Sequence, residues 1–138
     1  MRRARRCLAV ALLIAAASIG QAAAHSAIQI CGSGKRVTCV VDGDTVWVEG
    51  VKYRFEDIDT PEKGALAECM QEGLQAIAAT KRLAEILSAS EFTIEANGKD
   101  RYGRVLARFI IGGKTAGEML VAEGLARPWR GHTEDWCE

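Results

Sequence analysis

The sequence predicts an α+β domain that is mainly β: a five-stranded barrel with covering helices. Three observations carry that expectation. Three short β-branched and apolar runs succeed one another between residues 36 and 57, separated by glycine-containing turns. A long alanine-rich segment with helical spacing follows a proline. Two further apolar runs then lead into a short helix with its own capping signal.

Arg36 to Val41 is the first predicted strand and Thr45 to Val48 the second, with Asp42-Gly43-Asp44 between them. Glu49-Gly50 makes the next tight turn, and Val51 to Asp57 returns as a third strand, giving a meander. Pro61 ends it and holds Thr60 extended. Glu68 to Ser88 reads as a helix, with Met70, Leu74, Ile77, Ala84 and Leu87 near one stripe and Lys81 and Glu85 as an exposed i,i+4 pair. Gly73 inside it costs roughly 1 kcal/mol relative to alanine.

Glu91 to Ala96 is the fourth strand, closed by an Asn97-Gly98 turn, and Val105 to Ile111 is the fifth, closed by Gly112-Gly113. Thr115 and Glu118 form a capping box for a short helix that buries Leu120, Val121 and Leu125 and stops at Gly124. Pro128 to Glu138 has no helical period. Strands and helices in this order suit an OB-fold.

The first residues stand outside that fold. Arg2, Arg3, Arg5 and Arg6 precede an apolar run from Cys7 to Gly20, and small residues follow at cleavage spacing. An apolar run of about 14 residues is short for a membrane span, which needs about 20. Residues 1–24 are therefore expected to be a cleaved signal peptide and 25–138 a single domain, secreted or periplasmic and without a membrane segment. Cleavage after Ala24 or after Ala27 fits equally.

The leader carries four of the 18 basic residues and none of the 18 acidic ones, so the remainder has a net charge of −4. Such a chain has no long-range pull on nucleic acid, and any phosphate binding must come from a local site or a metal.

Four cysteines remain: Cys31, Cys39, Cys69 and Cys137. An even number in an exported chain reads as two disulfides, with three connectivities possible. The favoured pairing is Cys31–Cys39, stapling the approach to the first strand, and Cys69–Cys137, pinning a tail with little apolar surface. Closing the longer loop contributes about 4 kcal/mol on the chain-entropy account. A zinc site is the weaker reading, since there is no C-x-x-C and only His132 lies well inside the domain.

The chemistry concentrates between Val41 and Glu62, which packs Asp42, Asp44, Asp59 and Glu62 around Arg54. Asp42 and Asp44 flank a glycine and project to one side in extended geometry. Oxygen ligands from two separate loops are what Ca²⁺ takes, with water completing a loose shell, whereas softer metals want ligands that are missing here. The plainer alternative is that Asp42-Gly43 is only a hairpin turn and Glu62 only a solvated turn residue. Arg54 inside an apolar strand is costly unless paired or lining a cleft. Together with Arg104 it supplies planar forks suited to phosphate oxygens; the plainer alternative is that both simply pair with the acids. Arg54 and Asp59 have opposite strand parity, so they share a site only if the chain leaves regular extension near Ile58.

The ordered set V-D-G-D-T, R-x-x-x-x-D-T-P-E and D-R-Y-G-R resembles the staphylococcal nuclease (thermonuclease) family, and G-K-T-A-G-E-M-L-V-A-E-G-L-A-R resembles that family's second helix. The resemblance spans roughly Arg36 to Arg127. It implies an OB-fold hydrolase, a monomeric phosphodiesterase that cleaves DNA and RNA with Ca²⁺ and little sequence specificity. It matches Asp44 and Asp59 to metal-binding carboxylates, Thr60 to a backbone carbonyl ligand and Glu62 to the general base. Arg54 and Arg104 match the phosphate-gripping pair, Asp42 an acid just outside the metal's ligands, and Arg101 and Tyr102 the holders of the outer phosphate. The implied mechanism is attack of water on phosphorus, with the 5′ P–O bond breaking to leave 3′-phosphates.

Three departures stand out. Glu56 and Asp57 replace apolar residues of the third strand, adding charge that either weakens phosphate binding or supports the metal. The family's closing C-terminal helix is absent, with the Trp136-Cys137 tail in its place. The base-stacking tyrosines are missing; Trp129 is the candidate substitute, or else it packs on the barrel rim. His132 reads as solvated. Arg104 reaches the Val41–Glu62 stretch only if the barrel closes. Two rival readings remain: a non-catalytic nucleic-acid-binding module on the same fold, which should carry a basic stripe, and a calcium-stabilised structural domain.

Overall fold

Cys39–Asp42 (β1), Thr45–Val48 (β2) and Val51–Phe55 (β3) form the expected antiparallel meander in a computed structural model that describes residues 26–137. The leader assigned to residues 1–24 lies outside the described residues. Glu49 and Gly50 both take positive φ, 50° and 82°, which is the hairpin turn whose twist suits the flanking strands. β3 then breaks at Glu56-Asp57 and resumes as the two-residue β4 (Ile58–Asp59). The expected third strand through Asp57 is thus cut short, because those two acids bend away to partners elsewhere.

Thr93–Lys99 (β5) and Val105–Ile111 (β6) form an antiparallel pair, and β6 lies parallel to β3 with Arg54 opposite Leu106. The sheet order is β1-β2-β3-β6-β5, with the short β7 (Lys114–Thr115) paired to β6; β4 pairs separately with β8 (Arg127–Pro128). The five expected strands are present in their expected places, but among the described residues β1 and β5 do not pair with each other, so the barrel is not closed. Closure is not needed to bring Arg104 to the Val41–Glu62 stretch. The parallel β3–β6 ladder sets Val105, the neighbour of Arg104, opposite Tyr53.

Other boundaries shift as well, with the first helix at Met70–Ala89 and β5 at Thr93–Lys99. The first strand begins at Cys39, not Arg36. The Asn97-Gly98 turn is instead a bulge inside β5: register slips between Ala96 and Lys99, and Gly98 takes φ 75°. Asn-Gly satisfies either role. The real turn is Asp100–Arg104, where Asp100 Oδ1 accepts the amides of Tyr102 and Arg104, each at 2.9 Å.

Met70–Ala89 (α1) packs against β1 with a face that keeps only Ala84 and Leu87 of the expected stripe. Met70, Leu74 and Ile77 are 83%, 57% and 63% exposed, whereas Ala76, Ala79, Thr80, Leu83, Ala84, Ile86 and Leu87 are buried. Small residues face inward because the helix approaches the β1–β2 turn closely. A Cβ on Gly43 would stand 2.9 Å from both Ala79 Cβ and Thr60 Cβ. Glu85 pairs with Arg82 at 3.1 Å, not with Lys81.

Ala116–Ala122 (α2) has the expected capping box from Thr115 and Glu118. It ends in a Schellman arrangement, with Leu125 N–H on Leu120 O and Gly124 N–H on Val121 O. Val40, Val46, Phe55, Ile58, Leu83, Leu120 and Phe109 fill the core, with Phe55 stacked on Phe109 at 4.7 Å between centroids. No helix among the described residues is long and apolar enough to cross a membrane.

Candidate active site

Asp44, at the turn into β2, is buried, and every oxygen has a partner. Its Oδ2 accepts the Thr60 hydroxyl at 2.9 Å and lies 3.1 Å from Arg54 Nη2; its Oδ1 accepts the Thr45 hydroxyl at 3.0 Å. Asp42 Oδ1 accepts the Asp44 amide at 3.3 Å, so Asp42 shapes the turn that delivers Asp44. Arg54 is opposite Thr45 in the β2–β3 ladder. Its guanidinium, with the side chain 13% exposed, donates Nη1 to the carbonyls of Phe55 and Ile58. Those carbonyls belong to the segment where β3 breaks. The break at Glu56-Asp57 resolves the parity conflict and puts Asp59 Oδ1 3.8 Å from Arg54 Nη2.

Asp59 is also buried, and its Oδ2 accepts the Glu134 amide at 2.9 Å and the Trp136 indole N–H at 3.4 Å. Burial pushes the Asp44 carboxyl up to about 7; Arg54 opposes this, Asp42 adds to it, and the Thr60 and Thr45 hydroxyls oppose it. The arrangement is one guanidinium compensating two buried carboxylates.

Glu62 sits on the exposed loop after Pro61. Partial burial, together with the charges of Asp42, Asp59 and Glu72, raises its carboxyl above the ordinary value against the pull of Arg54. The loop is held at both ends by a buried residue that the sequence reading missed. Glu72 Oε1 accepts the Glu62 amide at 3.0 Å, and Oε2 accepts the Glu68 amide at 2.7 Å. Glu72 lies in the first turn of α1, where free amides and the helix dipole favour an anion. Lys63 reaches back to donate to the Val41 carbonyl.

Arg104 is two positions before Leu106, the partner of Arg54, and so projects from the same face of the sheet. Its guanidinium, however, is engaged by Asp100 Oδ2 at 2.6 Å and lies over Tyr102 at 5.6 Å. Arg101 donates to the Tyr102 hydroxyl at 2.6 Å on the exposed turn. Thus Asp42, Asp44, Arg54, Asp59 and Thr60 form one contact set, while Arg101, Tyr102 and Arg104 form a second. Trp129 is 42% exposed, with Arg54 5.8 Å from its ring centroid, so it borders the first set. His132 is exposed.

The two extra acids are occupied elsewhere. Glu56 pairs with Arg108 at 2.8 Å and accepts from Asn97 at 3.0 Å. Asp57 accepts the Thr115 hydroxyl at 2.8 Å above the start of α2, where Gly117 leaves it room: a Cβ there would be 2.7 Å from Asp57 Oδ2. Both disulfides join the favoured partners, Cys31 with Cys39 and Cys69 with Cys137, with Cα separations of 4.9 and 5.9 Å.

Among the described residues no three His, Cys, Asp or Glu side chains converge as a metal cluster. The carboxylates of Asp44 and Asp59 both approach Arg54 Nη2, at 3.1 and 3.8 Å. Each is already oriented by hydroxyl, amide or indole donors, and they offer only oxygen. That chemistry fits a hard divalent cation whose remaining ligands are carbonyl and water.

Comparison with known proteins decides the family. The family model described as staphylococcal nuclease homologue matches residues 52–135. The chain belongs to the staphylococcal nuclease family. The matched segment contains Arg54, Asp59, Thr60, Glu62, Arg101, Tyr102, Arg104 and Trp129, whereas Asp42 and Asp44 precede it. Relatives include endonuclease YncB of Bacillus subtilis (strain 168), 36% identical over 94 residues, covering 63% of this chain and 44% of that protein. The SPbeta prophage-derived endonuclease YokF of the same strain is 36% identical over 96 residues, covering 63% and 31%. The succinoglycan biosynthesis protein ExoI of Rhizobium meliloti (strain 1021) is 34% identical over 97 residues, covering 63% and 48%. The chain therefore spans less than half the length of these relatives. As a staphylococcal nuclease family domain it has the family's α+β fold, an OB-type strand set with helices.

Proposed function

We propose that this chain is an exported, calcium-dependent nuclease that hydrolyses phosphodiester bonds of DNA and RNA with little sequence preference and leaves 3′-phosphates. The observation that carries the reading is the Asp44–Arg54–Asp59 set, with Arg54 Nη2 at 3.1 and 3.8 Å from the two carboxylates. Family membership and the names of the two endonuclease relatives support it. The two disulfides support export, since such bonds persist in oxidising compartments.

Asp44, Asp59 and the Thr60 carbonyl would hold the cation. When bound, calcium supplies a Lewis acid for the phosphate and a template for the attacking water. Glu62, made more basic by partial burial and by the acids around it, takes the proton from that water. Arg54 in β3 and Arg104, just before β6, stabilise the charge that builds on phosphorus and the leaving oxygen. Arg101 and Tyr102 hold the outer phosphate from the Asp100–Arg104 turn, and Trp129, beside Arg54, offers its face to a base.

The test is incubation of the oxidised protein with single-stranded DNA and RNA, in calcium or in chelator, with the product ends read by mass spectrometry. The reading expects fragments ending in 3′-phosphate in calcium alone, and a rate lowered about 10²–10⁴-fold by Glu62→Gln. DNA that is retarded in a gel yet stays intact would replace it with the binding-module reading.

A further inference from the structure

Asp59 is gripped by the last described residues of the chain. Its Oδ2 accepts both the Glu134 amide and the Trp136 indole, and its Oδ1 is left facing Arg54. Two donors on one oxygen remove the carboxylate's rotational freedom and set the direction of the other oxygen. Trp136 is 6% exposed, yet the segment that carries it has no helix or strand to hold it.

Its restraints are side-chain contacts and one covalent bond. Arg127 lies over the Trp136 ring at 4.4 Å and donates to the Asp135 carbonyl at 2.8 Å. Arg127 is itself the ladder partner of Asp59 between β4 and β8. Next to Trp136, Cys137 is bonded to Cys69, the N-cap of α1. The tail thus joins the start of the helix to the carboxylate of β4.

Resting on the nuclease reading, we propose that Trp136 is a positioning residue for Asp59: held in place by the Cys69–Cys137 bridge, it fixes the orientation of the carboxylate whose other oxygen, now facing Arg54, would serve the divalent cation. Its indole N–H acts through Asp59 and touches neither cation nor substrate. Loss of that N–H lowers cation affinity without dismantling the fold.

The experiment is calorimetric titration of the oxidised protein with calcium chloride, alongside thermal unfolding in chelator, for the parent and Trp136→Phe. The variant should bind calcium about tenfold more weakly while unfolding cooperatively at nearly the parent temperature. Its kcat at saturating calcium should stay near that of the parent. Should Trp136→Phe not fold, the Cys69→Ser/Cys137→Ser pair replaces it, with the same loss of affinity expected. Parent-like affinity in a folded variant would overturn the proposal and leave the nuclease reading intact. A parent that binds no calcium would overturn both.

Discussion

Arg54 Nη2 lies 3.1 Å from Asp44 Oδ2 and within 3.8 Å of Asp59 Oδ1, so one guanidinium compensates two buried carboxylates brought from different strands. This pairing couples the stability of the fold to the proposed site.

Removing the guanidinium leaves both carboxylates without a cation in a water-poor setting. Arg54→Leu should destabilise the metal-free protein by about 3 kcal/mol at pH 8. Added calcium should restore part of the loss. Urea unfolding in chelator and in calcium measures both.

The raised Asp44 carboxyl gives a pH dependence of definite sign. Its folded value of about 7 exceeds the ordinary 3.8, so the folded chain holds this proton more tightly. Its stabilising contribution is full below the ordinary value and is lost as pH rises through about 7. Glu62, also raised, acts in the same direction. Cation binding requires the deprotonated form, so affinity should fall below pH 7 and binding there should release a proton. Calorimetry at about pH 6 in buffers of different ionisation heat should detect that proton; at high pH the dependence on buffer should vanish.

Gly43 is required by space, not by its dihedrals. Ala at 43 would set a Cβ 2.9 Å from Thr60 and Ala79, neither of which has a flexible end to yield. Gly43→Ala should cost about 1–3 kcal/mol and also weaken calcium binding, since Thr60 carries the hydroxyl on Asp44. Chemical denaturation and calorimetry separate the two effects.

Glu72 clamps the loop that carries Glu62. Glu72→Gln keeps one acceptor and turns the other into a donor facing an amide, so one end of the loop should be released at a cost of about 1–3 kcal/mol. Amide exchange at Glu62 or Glu68 should quicken. The rate of cleavage should fall while calcium affinity stays near that of the parent.

Much of this was legible in the residues themselves. The β2 and β6 limits and the α2 capping box follow from β-branched runs and a Thr-x-x-Glu signal, which are local. Arg54 stood out because a charge inside an apolar strand needs a partner, and Asp44 and Asp59 because carboxylates from two separate loops suit a hard cation. What stayed hidden depends on distant packing. The buried face of α1 is built from alanines that approach Gly43, so the larger Met70, Leu74 and Ile77 misled the periodicity. Asn97-Gly98 spells a bulge as readily as a turn. Glu72 and Trp136 act through a loop amide and a carboxylate that lie far away in sequence or beyond any periodic element. Cys69 and Cys137 marked where the tail would dock, but not that Asp59 would be beneath it.

The most direct test of the central claim is the single-turnover cleavage rate of a short single-stranded DNA at saturating calcium, compared with chelator, for the parent and Asp59→Asn. The account predicts cleavage by the parent in calcium only, reduced about a hundredfold or more in the variant. Cleavage that persists in chelator, or that Asp59→Asn leaves unchanged, would contradict it.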